Sequence, residues 1–295
     1  MKFAGPSWFE RSLATPGEPG TVEVQGAAIH YLAWGSVDSP GLVLIHGGGA
    51  NSHWWSFLAP LFADDYRVVA LDLSGNGDSD WREGGYSLQT WTDEVVAVIE
   101  DSAMAPRPIV VGHSMGGFVT IATAAFHSDA IGGAIVLDSP VAKPDPEMEQ
   151  GRRGFDFKNP KVYPSRELAT EKWRTVPAQK HYEPFIKRYV AWNSLKEVDD
   201  GWTWKFDSRL FLPKRSEPGA LLSKITCRVA VFRSEFGLVT DDIGRYMYEQ
   251  LGRVAPVIEI PQAGHHMMLD QPLLLLTGLR TLLADWEHSL PFTRS

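Results

Sequence analysis

The segment VVGHSMGG, residues 110–117, joins a short apolar run to a helix-like pattern. Its spacing Gly112-x-Ser114-x-Gly116, in a strand–turn–helix context, is typical of a nucleophile elbow. Glycine at both ends permits a turn that side chains would block. The turn would lift the Ser114 hydroxyl above a sheet, where the N–H of Met115 points at developing negative charge. Ser114 as a simple helix cap is the alternative, and the strand–turn–helix context favours the nucleophile.

Apolar runs of strand length recur along the chain and are dense in Val, Ile and Leu on both faces. Such runs are typical of parallel strands that are covered on both sides. Helical patterns lie between them, and an apparent hairpin precedes them. This alternation predicts an α/β fold with a mostly parallel central sheet and helices on both faces. The clearest strand-like runs are residues 41–47, 67–73, 108–113 and 133–139, and the clearest helical patterns are 87–101 and 275–286.

The pattern breaks at residues 141–217, which are richer in charge, proline and aromatic side chains. Two helix-like pieces occur there, at about 165–174 and 182–195. Ligands of open α/β sheets bind at the C-terminal edge of the strands. We therefore interpret 141–217 as a mainly helical lid inserted between two core parts, 1–140 and 218–295. A long peripheral excursion without a role at the site is the alternative.

The amino-acid composition limits the binding partners and the cellular location that we expect for this protein. The chain has 295 residues, 44% hydrophobic, with a formal charge of −8. This charge argues against binding to nucleic acid phosphates. Cys227 is the only cysteine, so no intrachain disulfide forms, which fits a reducing compartment. The opening residues lack the apolar run of a signal peptide, and no later run has the length of a membrane span. We therefore expect a cytoplasmic protein without membrane association.

Three further segments extend the pattern around Ser114, and with them the chain resembles the α/β-hydrolase superfamily. The resemblance covers nearly the whole chain and is strongest to the lidded serine esterase-like branch. LIHGGGANSHWW (44–55) is similar to the family's oxyanion loop. ALDLSGNGDSD (70–80) resembles its D-x-x-G-x-G-x-S segment, with Asn76 where histidine is frequent. IPQAGHHMMLDQP (260–272) resembles the G-H-x-x-x-x-E-x-P segment that carries the catalytic histidine.

The resemblance assigns roles to several residues. Serine is a weak nucleophile that needs a base, and histidine has a suitable pKa. The Gly–His pair selects His265 as this base over its neighbour His266. The oxyanion donors implied by the family are the N–H groups of Gly48 and Met115. Serine as nucleophile disfavours dehalogenase and epoxide hydrolase chemistry, for which relatives usually use aspartate.

The acid of the expected triad is missing from its usual place. The family's G-x-x-D pattern, laid on RSEFGLVT, puts Gly237 at the aspartate position. Some α/β hydrolases supply this acid from the end of the strand after the nucleophile helix, which is Asp138 here. Glu235, Asp241 and Asp242 are alternatives, and the last two also fit a helix start. We predict that the acid is relocated to Asp138.

These residues predict a serine hydrolase acting on a small-to-medium hydrophobic carboxylic ester, a small-molecule substrate. Lactone, thioester or C–C bond hydrolysis on the same triad stays open, as does a non-catalytic ligand-binding protein with this fold. His53, Trp54 and Trp192 are candidate pocket residues. Neither cofactor nor metal is implied, because His265 and His266 lack the spacing of a helical metal pair.

Overall fold

An eight-stranded sheet forms the centre of the computed structural model, which describes residues 3–141, 143, 160–210 and 218–289. Strands β7 and β8 form a separate two-stranded sheet. The predicted apolar runs all lie in the central sheet. In chain order the strands are β1 (Glu18–Val24), β2 (Ala27–Trp34), β3 (Gly41–Ile45), β4 (Arg67–Leu71), β5 (Ile109–His113), β6 (Gly133–Leu137), β7 (Leu195–Val198), β8 (Gly201–Trp204), β9 (Arg228–Phe236) and β10 (Val257–Gly264).

Strand direction divides the central sheet into two parts. β1 pairs antiparallel with β2, and β2 pairs antiparallel with β4. From β4 the sheet continues through β3, β5, β6, β9 and β10, and all of these neighbours are parallel. The C-terminal ends of the six parallel strands therefore share one edge. The predicted α/β-hydrolase fold, with its mostly parallel sheet, is confirmed.

Helices cover both faces of this sheet. In the described residues no helix has the length and apolar content needed to cross a bilayer. Short 3₁₀ turns lie at Ser52–Trp54 and Ala59–Phe62. The α-helices of the described residues are α1 (Ser7–Leu13), α2 (Leu88–Asp101), α3 (Met115–Phe126), α4 (Arg166–Lys172), α5 (Pro184–Asn193), α6 (Gly219–Leu222), α7 (Asp241–Gln250), α8 (Met267–Asp270) and α9 (Pro272–His288).

The spacing of apolar residues explains which helix faces are buried. In α2, Trp91, Val95 and Val98 recur at helical spacing and are fully buried. The Ser87 side chain accepts a hydrogen bond from the N–H of Thr90 and so caps this helix. One apolar cluster includes residues of α2 and α3, and a second includes residues of α1 and α9. The sheet lies between the two clusters.

The described part of the predicted lid, residues 160–210, is called the inserted segment below. It contains α4, α5, β7 and β8 and lies between β6 and β9 in the chain. The N–H of Gly77 donates to the carbonyl of Lys205, and the N–H of Glu183 donates to the carbonyl of Leu269. Gly77 follows β4 and Leu269 follows β10. The inserted segment therefore contacts loops at the C-terminal edge of the parallel strands.

Candidate active site

Ser114 lies at the sharp turn between β5 and α3. Its backbone has φ +55°, a left-handed conformation that is uncommon for a residue with a side chain. A Cβ on Gly116 would collide with the backbone carbonyls of Ile45 and His46, so glycine is required there. The Ser114 side chain makes no capping hydrogen bond to its helix. A simple capping role therefore does not account for this serine.

His265 follows β10 and bridges two other predicted site residues. Its Nε2 lies 3.0 Å from Ser114 Oγ, and its Nδ1 lies 2.7 Å from Asp138 Oδ2. A carboxylate only accepts hydrogen bonds, so Nδ1–H donates to Asp138, and Nε2 is left to accept from the serine hydroxyl. The His265 residue is only 4% exposed. The structure thus brings the three predicted residues into one hydrogen-bonded chain.

Asp138 follows β6 in a left-handed conformation with φ +43°. Its carboxylate is fully buried and accepts backbone hydrogen bonds from Ser234, Leu238 and Val239, besides the one from His265. Burial opposes ionisation, but these donors outweigh it, so the pKa of Asp138 lies below its ordinary value. The buried carboxylate is therefore ionised at neutral pH.

Gly237 leaves room for that carboxylate. A Cβ built on Gly237 would overlap the Asp138 carboxylate oxygens. The position left vacant at Gly237 and the carboxylate of Asp138, the predicted acid, are therefore in direct contact. The other candidates lie elsewhere: Glu235 accepts hydrogen bonds from Gln262, and Asp241 pairs with Arg233.

The loop after β3 runs beside the serine. A Cβ on Gly47 would lie 3.4 Å from the Cβ of Ser114, so the backbone passes close to the hydroxyl. Met115 begins α3, and the N–H groups of a first helical turn have no intrahelical acceptor. The N–H groups of Gly48 and Met115 are thus on the two segments that border Ser114. Their role as oxyanion donors stays a prediction.

Buried side chains hold this loop from behind. The Oδ1 of Asn76 accepts a hydrogen bond from the N–H of Gly49 at 3.2 Å. His46 Nδ1–H donates to the carbonyl of Gly47, and its Nε2 accepts from the N–H of Leu73. Burial lowers the pKa of His46, which keeps the ring neutral and able to make both contacts. Asn76 thus supports the loop at the position where histidine is frequent in the family.

Two of the predicted pocket residues lie just beyond this loop. Trp54 is 7% exposed and packs its ring edge-to-face on His266 at 5.3 Å between centroids. His53 Nδ1 lies 3.4 Å from the hydroxyl of Tyr189 in α5. Both side chains therefore lie between the core and the inserted segment. Substrate contact by either one stays a prediction.

Trp192, the third predicted pocket residue, is engaged within the inserted segment. The guanidinium carbon of Arg166 lies 4.2 Å from the centre of its ring, within cation–π distance. The same guanidinium donates two hydrogen bonds to the Trp192 carbonyl. Packing against Arg166 accounts for this tryptophan without a ligand, and its pocket role is also untested.

Two further histidines flank His265. Sequence reasoning identified His266 only as the alternative to His265 as base, and it missed His113. His113 Nε2–H donates to the carbonyl of His265 at 2.8 Å. Burial and the neighbouring His265 lower the pKa of His113 to about 3. Burial also holds the pKa of His266 well below its ordinary value. Both rings are therefore neutral near pH 7. The position of His113 directly before Ser114 is the signal that could have identified it.

Among the residues that the structure describes, two groups of side chains bring potential metal ligands within 4.8 Å of one another. Hydrogen bonds already engage both ring nitrogens of His265 in the first group. In the second group, His30 and backbone N–H groups already donate to Asp72. We therefore assign neither group to a metal. The groups are His113, His265 and His266, and His30, Asp72 and Asp78.

In the α/β hydrolases, a serine at a strand–helix turn forms a hydrogen bond with a histidine that follows the last strand of the sheet. Ser114 and His265 have this arrangement. The model of the alpha/beta hydrolase family matches residues 42–276. Because the match spans more than half of the chain, the protein belongs to the alpha/beta hydrolase family. The resemblance found in the sequence motifs is confirmed.

Several similar proteins align with nearly the whole chain. Esterase Rv0045c of Mycobacterium tuberculosis is 28% identical over 275 residues, which cover 90% of this chain and 89% of the relative. The 3-oxoadipate enol-lactonase 2 of Acinetobacter baylyi is 23% identical over 253 residues, covering 85% and 91%. The solved structure of E-2-(acetamidomethylene)succinate hydrolase has a TM-score of 0.78 at 19% identity, covering 91% and 99%. The fold is thus shared with hydrolases of differing substrates.

Because Gly237 lies so close to the Asp138 carboxylate, adding one methyl group at residue 237 should destabilise the fold. Gly237→Ala should lower the free energy of unfolding by roughly 1–3 kcal/mol, because the new Cβ displaces the buried Asp138 carboxylate. Thermal or urea denaturation measures this change. Gly84→Ala is the matched control, since a Cβ there meets no atom within 4 Å. Equal stability of the two variants would contradict the geometry.

Proposed function

We propose that this protein is a serine esterase that hydrolyses a small-to-medium hydrophobic carboxylic ester through an acyl-enzyme. The observation that carries the proposal is the hydrogen-bonded chain from Ser114 Oγ through His265 to Asp138, with contacts of 3.0 and 2.7 Å. Acyl transfer by serine needs a base within reach and a third group that orients the base. Each of these three roles has one side chain here.

In the first half of the reaction, Ser114 Oγ attacks the carbonyl carbon of the ester while its proton passes to His265 Nε2. The carbonyl oxygen becomes an oxyanion, which accepts hydrogen bonds from the N–H groups of Gly48 and Met115. The tetrahedral intermediate then collapses, and the bond to the alcohol oxygen breaks. His265 returns the proton to this leaving oxygen. An acyl group remains on Ser114.

In the second half, water takes the place of the alcohol. His265 accepts a proton from the water, whose oxygen attacks the acyl carbon. Collapse of the second tetrahedral intermediate returns the electron pair to Ser114 Oγ, and His265 gives the proton back to it. The products are the carboxylic acid and the free enzyme.

The two groups that flank the imidazole of His265 differ in charge. The pKa of Asp138 is lowered despite its burial, so a negative carboxylate faces the imidazolium. The pKa of the adjacent His113 is lowered to about 3 by burial and by His265, so this ring adds no positive charge. A neutral His113 therefore does not repel the positive charge that His265 carries transiently.

Aromatic side chains support a hydrophobic acyl or alcohol group as the substrate's main recognition element. Trp54 packs near Trp173 of the inserted segment at 5.8 Å between centroids. We propose that residues 141–217 act as a lid over this site. A lactone, which is a cyclic ester, is the second candidate substrate, because an enol-lactonase is similar over 91% of its length.

The first test labels the nucleophile. An active-serine phosphonate probe should modify wild-type protein on Ser114, since attack by this oxygen on phosphorus mimics acylation. Ser114→Ala should abolish labelling, as measured by intact-protein mass spectrometry. Ser223 is an exposed serine, and Ser223→Ala is the matched control. This variant should be labelled to the same extent as wild type. An unlabelled wild-type protein would instead favour a non-catalytic ligand-binding role.

The second test concerns the acid. Asp138→Asn should lower kcat for a p-nitrophenyl ester by about 10⁴-fold, because the amide favours the wrong tautomer of the histidine. Circular dichroism checks that the fold is retained. Glu235→Gln removes the rival carboxylate and should leave kcat within about twofold of wild type, as expected for an exposed site away from the reaction. Near-wild-type turnover of Asp138→Asn would refute the relocated acid.

The third test concerns substrate size. In a series of p-nitrophenyl esters, kcat/KM should be highest for short to medium acyl chains and fall for long ones, because the proposed pocket is bounded by bulky aromatic side chains. A preference for acyl chains above about ten carbons would refute the small-substrate assignment. It would mean that the pocket still buries each additional CH₂ group, with a gain of about 0.8 kcal/mol in binding free energy.

A further inference from the structure

Gln179, in the inserted segment, packs its side chain against the loop that carries His265. A Cβ on Gly264 would lie 2.6 Å from the Gln179 side-chain Cδ, so only glycine leaves room for this approach. Gly264 is the residue immediately before His265. The inserted segment therefore contacts the backbone next to the proposed catalytic base, and not only the periphery of the core.

The peptide between His265 and His266 is held at both of its polar ends. Its carbonyl, on His265, accepts a hydrogen bond from His113 Nε2–H at 2.8 Å. Its N–H, on His266, donates to Gln179 Oε1 at 2.9 Å. The first contact comes from the strand that leads to the serine, and the second comes from the inserted segment. Rotation of this peptide would break both bonds and turn the imidazole away from the serine.

The amide nitrogen of Gln179 extends this bridge to the other side of His265. Gln179 Nε2–H donates to Asp270 Oδ2 at 2.9 Å, and the same oxygen accepts from the N–H of Gly264 at 2.7 Å. Gln179 Nε2 also donates to the carbonyl of His181, which keeps the amide in place. One side chain thus supports the backbone both before and after His265.

We propose that Gln179 is a positioning residue for the proposed reaction. Its amide aligns His265 with Ser114 only while the inserted segment is seated on the core. Alignment of the catalytic base and closure of the inserted segment are then one event. This inference rests on the proposed esterase function.

A purely structural anchor would behave differently. If Gln179 only fastened the inserted segment, its loss would lower stability or weaken substrate binding, and KM would rise while kcat stayed near wild type. If it positions the base, kcat falls, because a catalytic group displaced by about 1 Å can cost on the order of a hundredfold in rate. The split between kcat and KM therefore separates the two roles.

The experiment compares Gln179→Leu with Lys180→Leu in the full chain. Lys180 is the exposed neighbour in the same segment. For a short-chain p-nitrophenyl ester, Gln179→Leu should lower kcat by at least about tenfold with KM within about threefold, since alignment and not ground-state binding is lost. Lys180→Leu should retain wild-type kcat. Melting temperatures of both variants are measured alongside.

Gln179→Glu supplies a second readout that depends on chemistry. The new carboxylate keeps the acceptor for His266 but faces Asp270, whose pKa burial raises to about 7. The nearby Glu183 adds further negative charge. When both carboxylates are ionised they repel each other, and when the pair shares one proton the bridge is restored. The kcat of Gln179→Glu relative to wild type should therefore rise at least about fivefold between pH 8 and pH 6.

The outcomes distinguish the two proposals. A wild-type protein without turnover or phosphonate labelling removes the esterase function, and the inference falls with it. An active wild type together with wild-type kcat in Gln179→Leu overturns the positioning role alone. A pH-independent ratio for Gln179→Glu also overturns it. If Gln179→Leu does not fold, Gln179→Glu decides the question.

Discussion

The buried carboxylate of Asp138 is the group on which the arrangement of the site depends. An unpaired charge without access to water is costly, so such a group persists only with compensating donors. Three backbone N–H groups from the end of β9 and the loop after it supply this compensation, together with His265. The carboxylate thereby connects the end of β6 with the loop after β9 and with the loop that carries His265. The absence of a side chain at Gly237 leaves room for the carboxylate there.

Periodicity and turn chemistry were sufficient for most of the fold. Runs of β-branched and aliphatic residues identify the parallel strands, because both faces of such strands are buried. Glycines around Ser114 identify the turn, since the spacing serves a backbone that side chains would block. The same reasoning led to Asp138 as the proposed acid, because the sequence has Gly237 at the position where the family usually has aspartate. The family supplied the alternative position, and in the structure the Asp138 carboxylate atoms lie within 2.6 Å of the place of a Cβ on residue 237.

The contacts that support His265 could not be predicted in this way. His113 reaches its carbonyl across 152 positions of sequence, and Gln179 reaches the next N–H across 87. Neither contact has a periodic signal, because each depends on how separate loops meet at the edge of the sheet. Gln179 also lies in the region without family motifs. A single amide in a polar stretch is indistinguishable from its neighbours until its partners are known.

The rigidity of the site differs between its parts. Ser114 and Asp138 both have left-handed backbones, at the ends of adjacent strands β5 and β6. Such conformations persist only where surrounding structure over-determines them, so Ser114 and Asp138 are held by the sheet itself. His265 instead lies in a loop whose peptide is fixed partly by the inserted segment. Of these three residues, His265 is therefore the one whose position depends on contacts with that segment. In the proposed reaction, Ser114 and Asp138 stay fixed, and the loop that carries His265 determines when the three residues act together.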